Sequence, residues 1–344
     1  MRKRLLNVPT LRDVALRASV SVPIVSRVLA GEANVRVRPD TRERILRAAE
    51  ELNYRPNVLA RSLKTRKTHT LALLIPDVGN PVFPAIVRGV EEEAARHGYT
   101  VLISHIDERA IEQKFYMTLF QESRFDGLLL ATARLEDSVI DDLNSLNCPF
   151  VLLNRATFTT NNFVIVDDTL GSRLAVDHLI ELGHRRIAHL AGPFVYDTAL
   201  RRFQGYRQSL ARNGLDYDPD LVEEVSWFSY EGGRLSLAKL MKRCSPTAIF
   251  AGNLTLAIGA VACLRDAGLA IPGDVSVIGL HDAPLAEVLN PPLTVVRMPL
   301  EEMGRNAVAS LVGWLDGLLP IVPQMLAPLG LVERASTGPP RQTL

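Results

Sequence analysis

The residues of this sequence with the clearest chemical use are the cationic side chains of its first 67 positions. Residues 1–67 contain 16 Lys and Arg against 6 Asp and Glu, a net charge of +10, whereas residues 68–344 contain 23 against 32, a net charge of −9. Among these cations, Arg27 can donate two parallel hydrogen bonds to the edge of one guanine. A basic head beside an acidic body predicts that the head binds a polyanion and that the body repels it.

The sequence lacks the motifs that support catalysis or metal binding. No dinucleotide-binding glycine motif, P-loop, zinc-protease HExxH or GxSxG serine motif is present, and the seven His are scattered. Cys148, Cys244 and Cys263 have no CxxC spacing, so we expect neither a disulfide framework nor a zinc site and predict that they lie in or near the core. We therefore expect no metal and no cofactor. Binding is favoured over catalysis, although a fold alone does not exclude an enzyme.

Length and composition describe an ordinary globular protein. The 344 residues, with 47% hydrophobic and 22% charged side chains, suffice for a small head and a two-lobed body. No run of 18 apolar residues is present, and the apolar stretch after Met1-Arg-Lys-Arg is too short for a signal peptide. We therefore expect a cytoplasmic protein without a membrane span.

Two short helices are predicted to position the cationic side chains of the head. Thr10 and Asp13 have the spacing of a capping box, which starts a first helix. Its inner face should hold Leu11, Val14, Ala15 and Ala18. After a turn over residues 19–21, Ser21 can cap a second helix that runs to about Ala30. Val25, Val28 and Leu29 should face inward, and Val22, Pro23, Ser26 and Arg27 outward.

A third helix should support the first two. Pro39 is suited to the first turn of this helix, which runs through Leu52. Its inner face should hold Ile45, Leu46, Ala49 and Leu52. Two short helices with a tight turn between them and a third behind them form a helix-turn-helix, whose second helix enters the major groove of DNA. The alternative, a generic three-helix bundle, is disfavoured by the charge of +10.

Residues 57–67 are predicted to form a hinge between head and body. Pro56 ends the preceding helix, Asn57 can cap a new one, and residues 58–63 can make about two turns. A helix this short is marginal in water, so we expect it to form only with a partner. The alternative is a solvated linker. The predicted divisions are a head over residues 1–56, this hinge, and a body over residues 68–344.

Several head motifs resemble one protein family. Thr10-Leu-Arg-Asp-Val-Ala, Val25-Ser-Arg-Val-Leu, Tyr54-Arg-Pro-Asn and Ala60-Arg-Ser-Leu are similar to the lactose-repressor (LacI/GalR) family of bacterial transcription regulators. The resemblance implies that the second helix reads the major groove and that the hinge helices of two subunits pair in the minor groove, where Leu63 wedges between base pairs. The DNA-binding residues that it implies are Thr10, Ser21, Val22, Pro23, Ser26, Arg27, Asn34, Asn57, Ala60, Arg61, Leu63 and Lys64.

The head departs from the family pattern at three of these or neighbouring positions. Ser19 stands where the family usually has a turn glycine. Val22 and Pro23 stand at the two leading base-reading positions, where they can contact thymine methyl groups but cannot hydrogen-bond to base edges. The operator sequence therefore cannot be derived from the head.

The body is predicted to be an α/β structure with two lobes. Short apolar runs, such as 71–75, 127–130, 150–153 and 275–279, alternate with helical segments, four of which end in Gly98, Gly183, Gly214 and Gly268. This alternation predicts parallel, doubly wound sheets. There are too many strands for one comfortable sheet, so we expect two lobes with a ligand cleft beside the carboxyl ends of the strands.

The resemblance to the family continues through the body. Leu182-Gly-His-Arg-Arg-Ile-Ala, Ile271-Pro-Gly-Asp-Val-Ser-Val-Ile-Gly and Asn290-Pro-Pro-Leu-Thr are similar to its effector-binding half, which resembles periplasmic sugar-binding proteins. This implies a homodimer that binds double-stranded, pseudo-palindromic operator DNA and a sugar or sugar acid. The effector residues that it implies are Phe83, Asp168, Arg202, Phe228, Asn253 and His281. Each aromatic ring could instead belong to the core, and Arg202 could instead pair with a helix carboxylate.

The family usually has Asp where this chain has His281 and beside Asn253, where this chain has Leu254. A protonated His281 near Arg202 would favour an anionic effector over a neutral sugar. The alternative is a neutral His281 on the rim of the cleft and a neutral sugar. Whether the protein represses or activates depends on where its operator lies. A solute-binding protein would need an export signal and no DNA-binding head.

Overall fold

The structure is a computed structural model that describes residues 9–29, 35–55, 67–105, 115–136, 138–318 and 320–341. The chain divides into two compact units, Met1–Thr68 and His69–Leu344. The predicted hinge over residues 57–67 lies outside the described residues except for Lys67, and so do Asn34, Asn57, Ala60, Arg61, Leu63 and Lys64. Their proposed roles stay predictions.

The head contains the three predicted helices, α1 (Leu11–Ala18), α2 (Val22–Leu29) and α3 (Pro39–Glu51). The core that joins them consists of Val14, Ala15, Ala18, Val25, Val28, Ile45, Ala48 and Ala49. The prediction that Leu46 belongs to this core is wrong, since Leu46 is 50% exposed. It lies about 100° around the helix from Ile45, and Ala48 completes the i, i+3, i+4 stripe instead.

Local interactions start and end α1 as the sequence predicts. Thr10 and Asp13 form the reciprocal hydrogen bonds of a capping box. Ser19, which replaces the usual turn glycine, has φ 54° and ψ 48° in the left-handed region. A residue with a Cβ atom is disfavoured there, so this turn is formed at some cost in conformational energy. Arg17 Nη2 lies 2.7 Å from Glu51 Oε2 and ties α1 to α3.

The first part of the body alternates strands and helices. Its elements are β1 (Thr70–Ile75), α4 (Val82–Arg96), β2 (Thr100–His105), α5 (Phe115–Gln121), β3 (Gly127–Leu130), α6 (Val139–Ser145), β4 (Phe150–Leu153) and β5 (Phe163–Val166). These strands form a parallel sheet in the order β5-β4-β3-β1-β2. This sheet is the core of lobe 1.

The second part repeats the pattern. Its elements are α7 (Asp168–Glu181), β6 (Ile187–Ala191), α8 (Asp197–Arg212), a 3₁₀ turn (Pro219–Leu221), β7 (Val222–Glu224), α9 (Tyr230–Leu240), β8 (Ala248–Ala251), α10 (Leu254–Asp266), β9 (Ser276–Leu280), α11 (Pro284–Val288), β10 (Thr294–Arg297), α12 (Leu300–Leu315), β11 (Gln324–Leu326) and β12 (Gly330–Val332). The sheet of lobe 2 has the order β12-β10-β9-β8-β6-β7, with only β12 antiparallel to its neighbour.

The chain crosses between the lobes three times. It leaves lobe 1 between β5 and α7, and it returns between β10 and α12, because β11 adds to the edge of the first sheet beside β5. It crosses again between β11 and β12. The predicted glycine stops are confirmed, since Gly98, Gly183, Gly214 and Gly268 all have positive φ. The two parallel sheets confirm the predicted fold class.

Candidate functional site

A cleft lies between the lobes at the carboxyl ends of strands from both sheets. Its cavity has a volume of about 30 Å³, room for about one water molecule, so the lobes must part before a larger molecule can enter. Its lining residues come from both lobes and are Pro76, Asp77, Asn80, Val82, Phe83, Asn154, Arg155, Thr198, Arg202, Trp227, Phe228, Asn253 and His281. Several of them directly follow a strand, because parallel order brings these ends together.

The structure brings the six predicted effector residues together. Five of them line the cleft, and Asp168 touches it only through Arg202, with its own side chain fully buried. Asn253 also caps α10, where its Oδ1 accepts a hydrogen bond from the Leu256 amide at 2.9 Å. That bond uses the side-chain oxygen of Asn253 and not its side-chain NH2 group, which is a hydrogen-bond donor. The role of these residues in binding stays a prediction.

The two aromatic residues form apolar walls on opposite sides of the cleft. Phe83 belongs to α4 in lobe 1 and is 3% exposed, whereas Phe228 belongs to lobe 2 and is 7% exposed. The Phe228 ring packs against Gly192, where a Cβ atom would lie 2.0 Å from the ring. Each ring therefore lines the cleft and is also part of the hydrophobic core of its lobe.

Arg202 belongs to a buried ionic cluster. Its Nε donates to Asp168 Oδ1 at 2.7 Å, and Arg201 Nη1 lies 2.8 Å from the other oxygen of the same carboxylate. Burial would raise the pKa of Asp168, but the charges of Arg202 and Arg201 lower it overall. Asp168, at the start of α7, is thus held as a carboxylate between the two arginines.

His281 is neutral, which corrects the expectation that its protonated ring adds a positive charge to the cleft. Its Nε2 lies 3.4 Å from Arg202 Nη2, and because an arginine can only donate, Nε2 accepts and Nδ1 holds the ring proton. Burial and then the charge of Arg202 lower the pKa of His281 to about 3. The alternative of a rim residue is also wrong, since His281 is 2% exposed. Its φ of 73° places it in the strained left-handed region, as at many ligand sites.

The neutral His281 predicts a loss of stability in acid. The unfolded chain binds a proton near pH 6.5, whereas the folded chain does not do so until about pH 3. The free energy of unfolding should therefore fall as the pH drops below 6.5, by about 2 kcal/mol at pH 5 from this side chain alone. Urea unfolding at pH 7 and pH 5 measures the fall in the free energy of unfolding. In His281→Gln the fall should be smaller by about the 2 kcal/mol that His281 contributes. The control His97→Gln changes an exposed histidine and should keep the full difference in the free energy of unfolding between pH 7 and pH 5. If His281→Gln also keeps that full difference, the prediction is contradicted.

Several polar residues of the cleft were not predicted from the sequence, and Asn154 and Arg155 are two of them. Arg155 is 4% exposed, donates from Nη1 to the Thr132 carbonyl at 3.2 Å, and stacks on Tyr196 of lobe 2 at 3.7 Å from the ring centroid. Asn154 is 7% exposed and has φ 66°. Both directly follow the predicted strand over residues 150–153. That position, at the carboxyl end of a parallel strand, is the signal that could have found them.

The described DNA-binding candidates of the head lie at or near its surface. Thr10, Ser21, Val22, Pro23 and Arg27 are exposed, and Ser26 is half-buried. Five of them lie on or just before α2, whose inner face is fixed by Val25 and Val28. The outer face of α2 is therefore available to a partner, and its binding to DNA stays a prediction.

A basic helix-turn-helix head and a two-lobed body with a cleft between parallel sheets define the class of DNA-binding transcription regulators with a small-molecule site. Within the described part of the chain, no three or more His, Cys, Asp and Glu are grouped so that they could hold a metal ion. None of the helices that the structure describes has both the length and the apolar character needed to span a membrane.

Comparisons with known proteins agree with this class. Residues 10–57 match the model of bacterial regulatory proteins of the lacI family, and residues 176–337 match a periplasmic binding protein-like domain. The HTH-type transcriptional regulator DegA of Bacillus subtilis is 32% identical over 96% of this chain and 98% of its own length. The chain belongs to the lacI family of bacterial regulatory proteins.

Two solved structures share the whole architecture. The lac repressor dimer bound to operator and the anti-inducer ONPF superposes with a TM-score of 0.84 at 28% identity, covering 96% of this chain and 99% of that one. A complex of the transcriptional regulator CelR with cellobiose has a TM-score of 0.74 at 33% identity, covering 95% of this chain and 99% of the CelR chain.

Proposed function

We propose that the protein is a homodimeric transcriptional repressor whose affinity for a pseudo-palindromic operator is controlled by a sugar or sugar acid bound in the cleft. The observation that carries this proposal is the cleft itself. It joins buried polar groups to two aromatic walls, in a chain whose head is a basic helix-turn-helix. The CelR structure contains a sugar, and the lac repressor structure contains an operator.

The head and hinge would bind DNA in two grooves. The exposed face of α2 enters the major groove, where Arg27 reads a guanine and Val22 and Pro23 contact thymine methyl groups. We propose that the hinge helices predicted from the sequence over residues 57–67 pair between two subunits in the minor groove, where Leu63 would insert between base pairs. Because an operator lies in the bacterial cytoplasm, we also propose that the protein works there.

Two subunits are needed for this arrangement, since a pseudo-palindrome presents two half-sites. The lac repressor structure is that of a dimer. On this chain, Leu102 and Ile103 are 40% and 37% exposed on β2, at the edge of the first sheet, and Val288 on α11 is 74% exposed. Such apolar side chains are suited to an interface between copies.

Other functions have less support. An activator differs from a repressor only in the position of its operator. A solute-binding protein for transport has no use for a basic helix-turn-helix. An enzyme would need a catalytic motif, and the sequence has no dinucleotide-binding, P-loop, HExxH or GxSxG motif.

The proposed function is tested by operator selection and an effector screen. Full-length protein should enrich pseudo-palindromic sites from random DNA, and sedimentation should show two copies per site. A thermal-shift screen of sugars and sugar acids should then find a ligand that raises the melting temperature, because a ligand of the native state stabilises it by mass action. The same ligand should change operator affinity. Binding as one copy, or to all sequences equally, would reject the proposal.

Arg27→Ala should relax sequence preference at one position of each half-site, at a cost of about 1–3 kcal/mol for the preferred base pair. The reason is the loss of a bidentate contact with a guanine. Fluorescence anisotropy with single-substitution operators measures the effect. The control Arg47→Ala removes the same charge from α3, where Nη2 lies 2.9 Å from Glu43. It should weaken binding to all operators alike, and a uniform loss in Arg27→Ala would place Arg27 on phosphate instead.

A further inference from the structure

Three buried polar atoms of the cleft have no hydrogen-bond partner among the residues that the structure describes. They are Arg155 Nε, Asn154 Oδ1 and His281 Nδ1. All three residues line the cleft and are less than one-tenth exposed. A buried polar atom without a partner is costly, so such atoms around one cavity indicate what a ligand must supply.

The chemistry of each atom is determined. Arg155 Nε can only donate a hydrogen bond, and His281 Nδ1 also donates, because Nε2 of that ring accepts from Arg202. Asn154 Oδ1 can only accept. A ligand that satisfies all three atoms must accept two hydrogen bonds through its oxygens and donate one from a hydroxyl or similar group.

Among the described residues, Arg155 differs from the neighbouring arginines in that it has no carboxylate partner. Arg201 and Arg202 share the carboxylate of Asp168, and Arg201 also pairs with Asp197 at 3.0 Å. Arg155 has no carboxylate within 4.0 Å in the described part of the chain, and burial lowers its pKa more than the neighbouring Asp197 and Tyr196 raise it. The carboxylate of Asp77 lines the same cleft but is half-buried, and its Oδ1 is bound to the Gly79 amide at 2.8 Å.

We propose that the effector is a hydroxylated organic anion, a sugar acid or a sugar phosphate. Its anionic oxygens pair with Arg155 and accept from His281, and one of its hydroxyls donates to Asn154. The proposal rests on the proposed function, which places the effector in this cleft. It assigns the positive charge to Arg155, which no resemblance pointed to.

The position of Arg155 also connects the ligand to the two lobes. Arg155 follows β4 in lobe 1, and its guanidinium lies on the ring of Tyr196 in lobe 2. The backbone amide of Leu135 in lobe 1 donates to the carbonyl of Val195, the neighbour of Tyr196 in lobe 2, at 2.9 Å. An anion on Arg155 therefore stabilises the arrangement in which the lobes make these contacts.

Calorimetry of the full-length protein with matched ligand pairs tests the proposal. The pairs are glucuronate with glucose, galacturonate with galactose, and glucose 6-phosphate with glucose, which separate a carboxylate from a phosphate source. We expect at least one anion to bind about tenfold or more tightly than its neutral partner, since charge-assisted hydrogen bonds are the stronger ones. A wild type that prefers the neutral member of each pair, or binds none of the anions, overturns the proposal whatever the variants show.

Three variants test the assignment to Arg155. Arg155→Gln should lose the preference for the anion while the affinity for the neutral partner changes less than about threefold, and Arg155→Lys should keep part of the preference. The control Arg207→Gln should keep the full preference for the anion. It changes an exposed arginine of α8 that lies over the ring of Tyr217. A preference that survives Arg155→Gln overturns the assignment.

Operator binding, measured on the same samples, distinguishes failure of this inference from failure of the proposed function. If a neutral sugar changes operator affinity and no anion does, the proposed function stands and the proposal of an anionic effector is rejected. If the protein binds no operator, the proposed function itself is rejected. If Arg155→Gln does not fold, as shown by its melting transition, the wild-type ligand pairs and Arg155→Lys still decide the inference.

Discussion

We expect the affinity of the full-length protein for its operator to fall by about three to five orders of magnitude between 50 and 200 mM salt. Each head carries a net charge of +10 over residues 1–67, and a dimer presents two heads. If the pair neutralises about 6 to 10 phosphates, the release of condensed counterions gives this steep dependence. Anisotropy titrations at several salt concentrations measure the slope of log affinity against log salt.

The body provides the internal control for this prediction. Residues 68–344 carry a net charge of −9, so they add no attraction for DNA. Binding of a neutral ligand to the same protein should change little over the same salt range. A slope near zero for operator binding would mean that the basic head does not contact phosphates, and the reading of the head as a DNA-binding domain would then be wrong.

Asp168→Asn should lower the free energy of unfolding of the body by about 3–5 kcal/mol, because it leaves two buried arginines without their shared carboxylate. The Asp168 side chain is fully buried, and it holds Arg202 at 2.7 Å and Arg201 at 2.8 Å. Asparagine keeps the shape and loses the charge. Urea unfolding at pH 7 measures the loss, and effector binding should weaken as well, since Arg202 loses its support.

A surface pair provides the control for Asp168→Asn. Glu231→Gln breaks an exposed pair with Arg234 at 3.4 Å and should leave the free energy of unfolding almost unchanged, because water screens an exposed pair. The double variant Asp168→Asn, Arg202→Met should recover part of the stability, because Arg202, unlike Arg201, has no second carboxylate within 4.0 Å among the described residues. A loss below about 1 kcal/mol in Asp168→Asn would show that the ionic cluster is not a structural element of the cleft.

Elements with local causes could be predicted from the sequence. The capping box of Thr10 and Asp13 and the glycines after four helices act within a few residues, so their patterns are visible in the sequence and their geometry follows. The apolar runs that became β1, β3, β4 and β9 are buried on both faces, as strands of parallel sheets are. The prediction that Leu46 lies on the inner face of α3 was wrong, because the predicted apolar face extended about 100° too far around the helix.

Residues of the cleft were predicted only in part. The resemblance to a family supplied positions such as Phe83, Arg202 and His281, because it carries information about which distant segments meet. It did not supply Arg155 or Asn154. These two residues became visible only when the parallel order of the strands placed the end of β4 beside the cleft.

The sequence by itself determined the basic head, its three helices, the alternating elements of the body and the family, since charge, capping and periodicity are local properties. Tertiary structure decided the ionisation of the cleft. The order of residues does not reveal that Asp168 lies between Arg201 and Arg202, or that burial and Arg202 keep His281 neutral. A pKa depends on the groups that surround a side chain in space, and in this cleft those groups come from segments more than 30 residues apart.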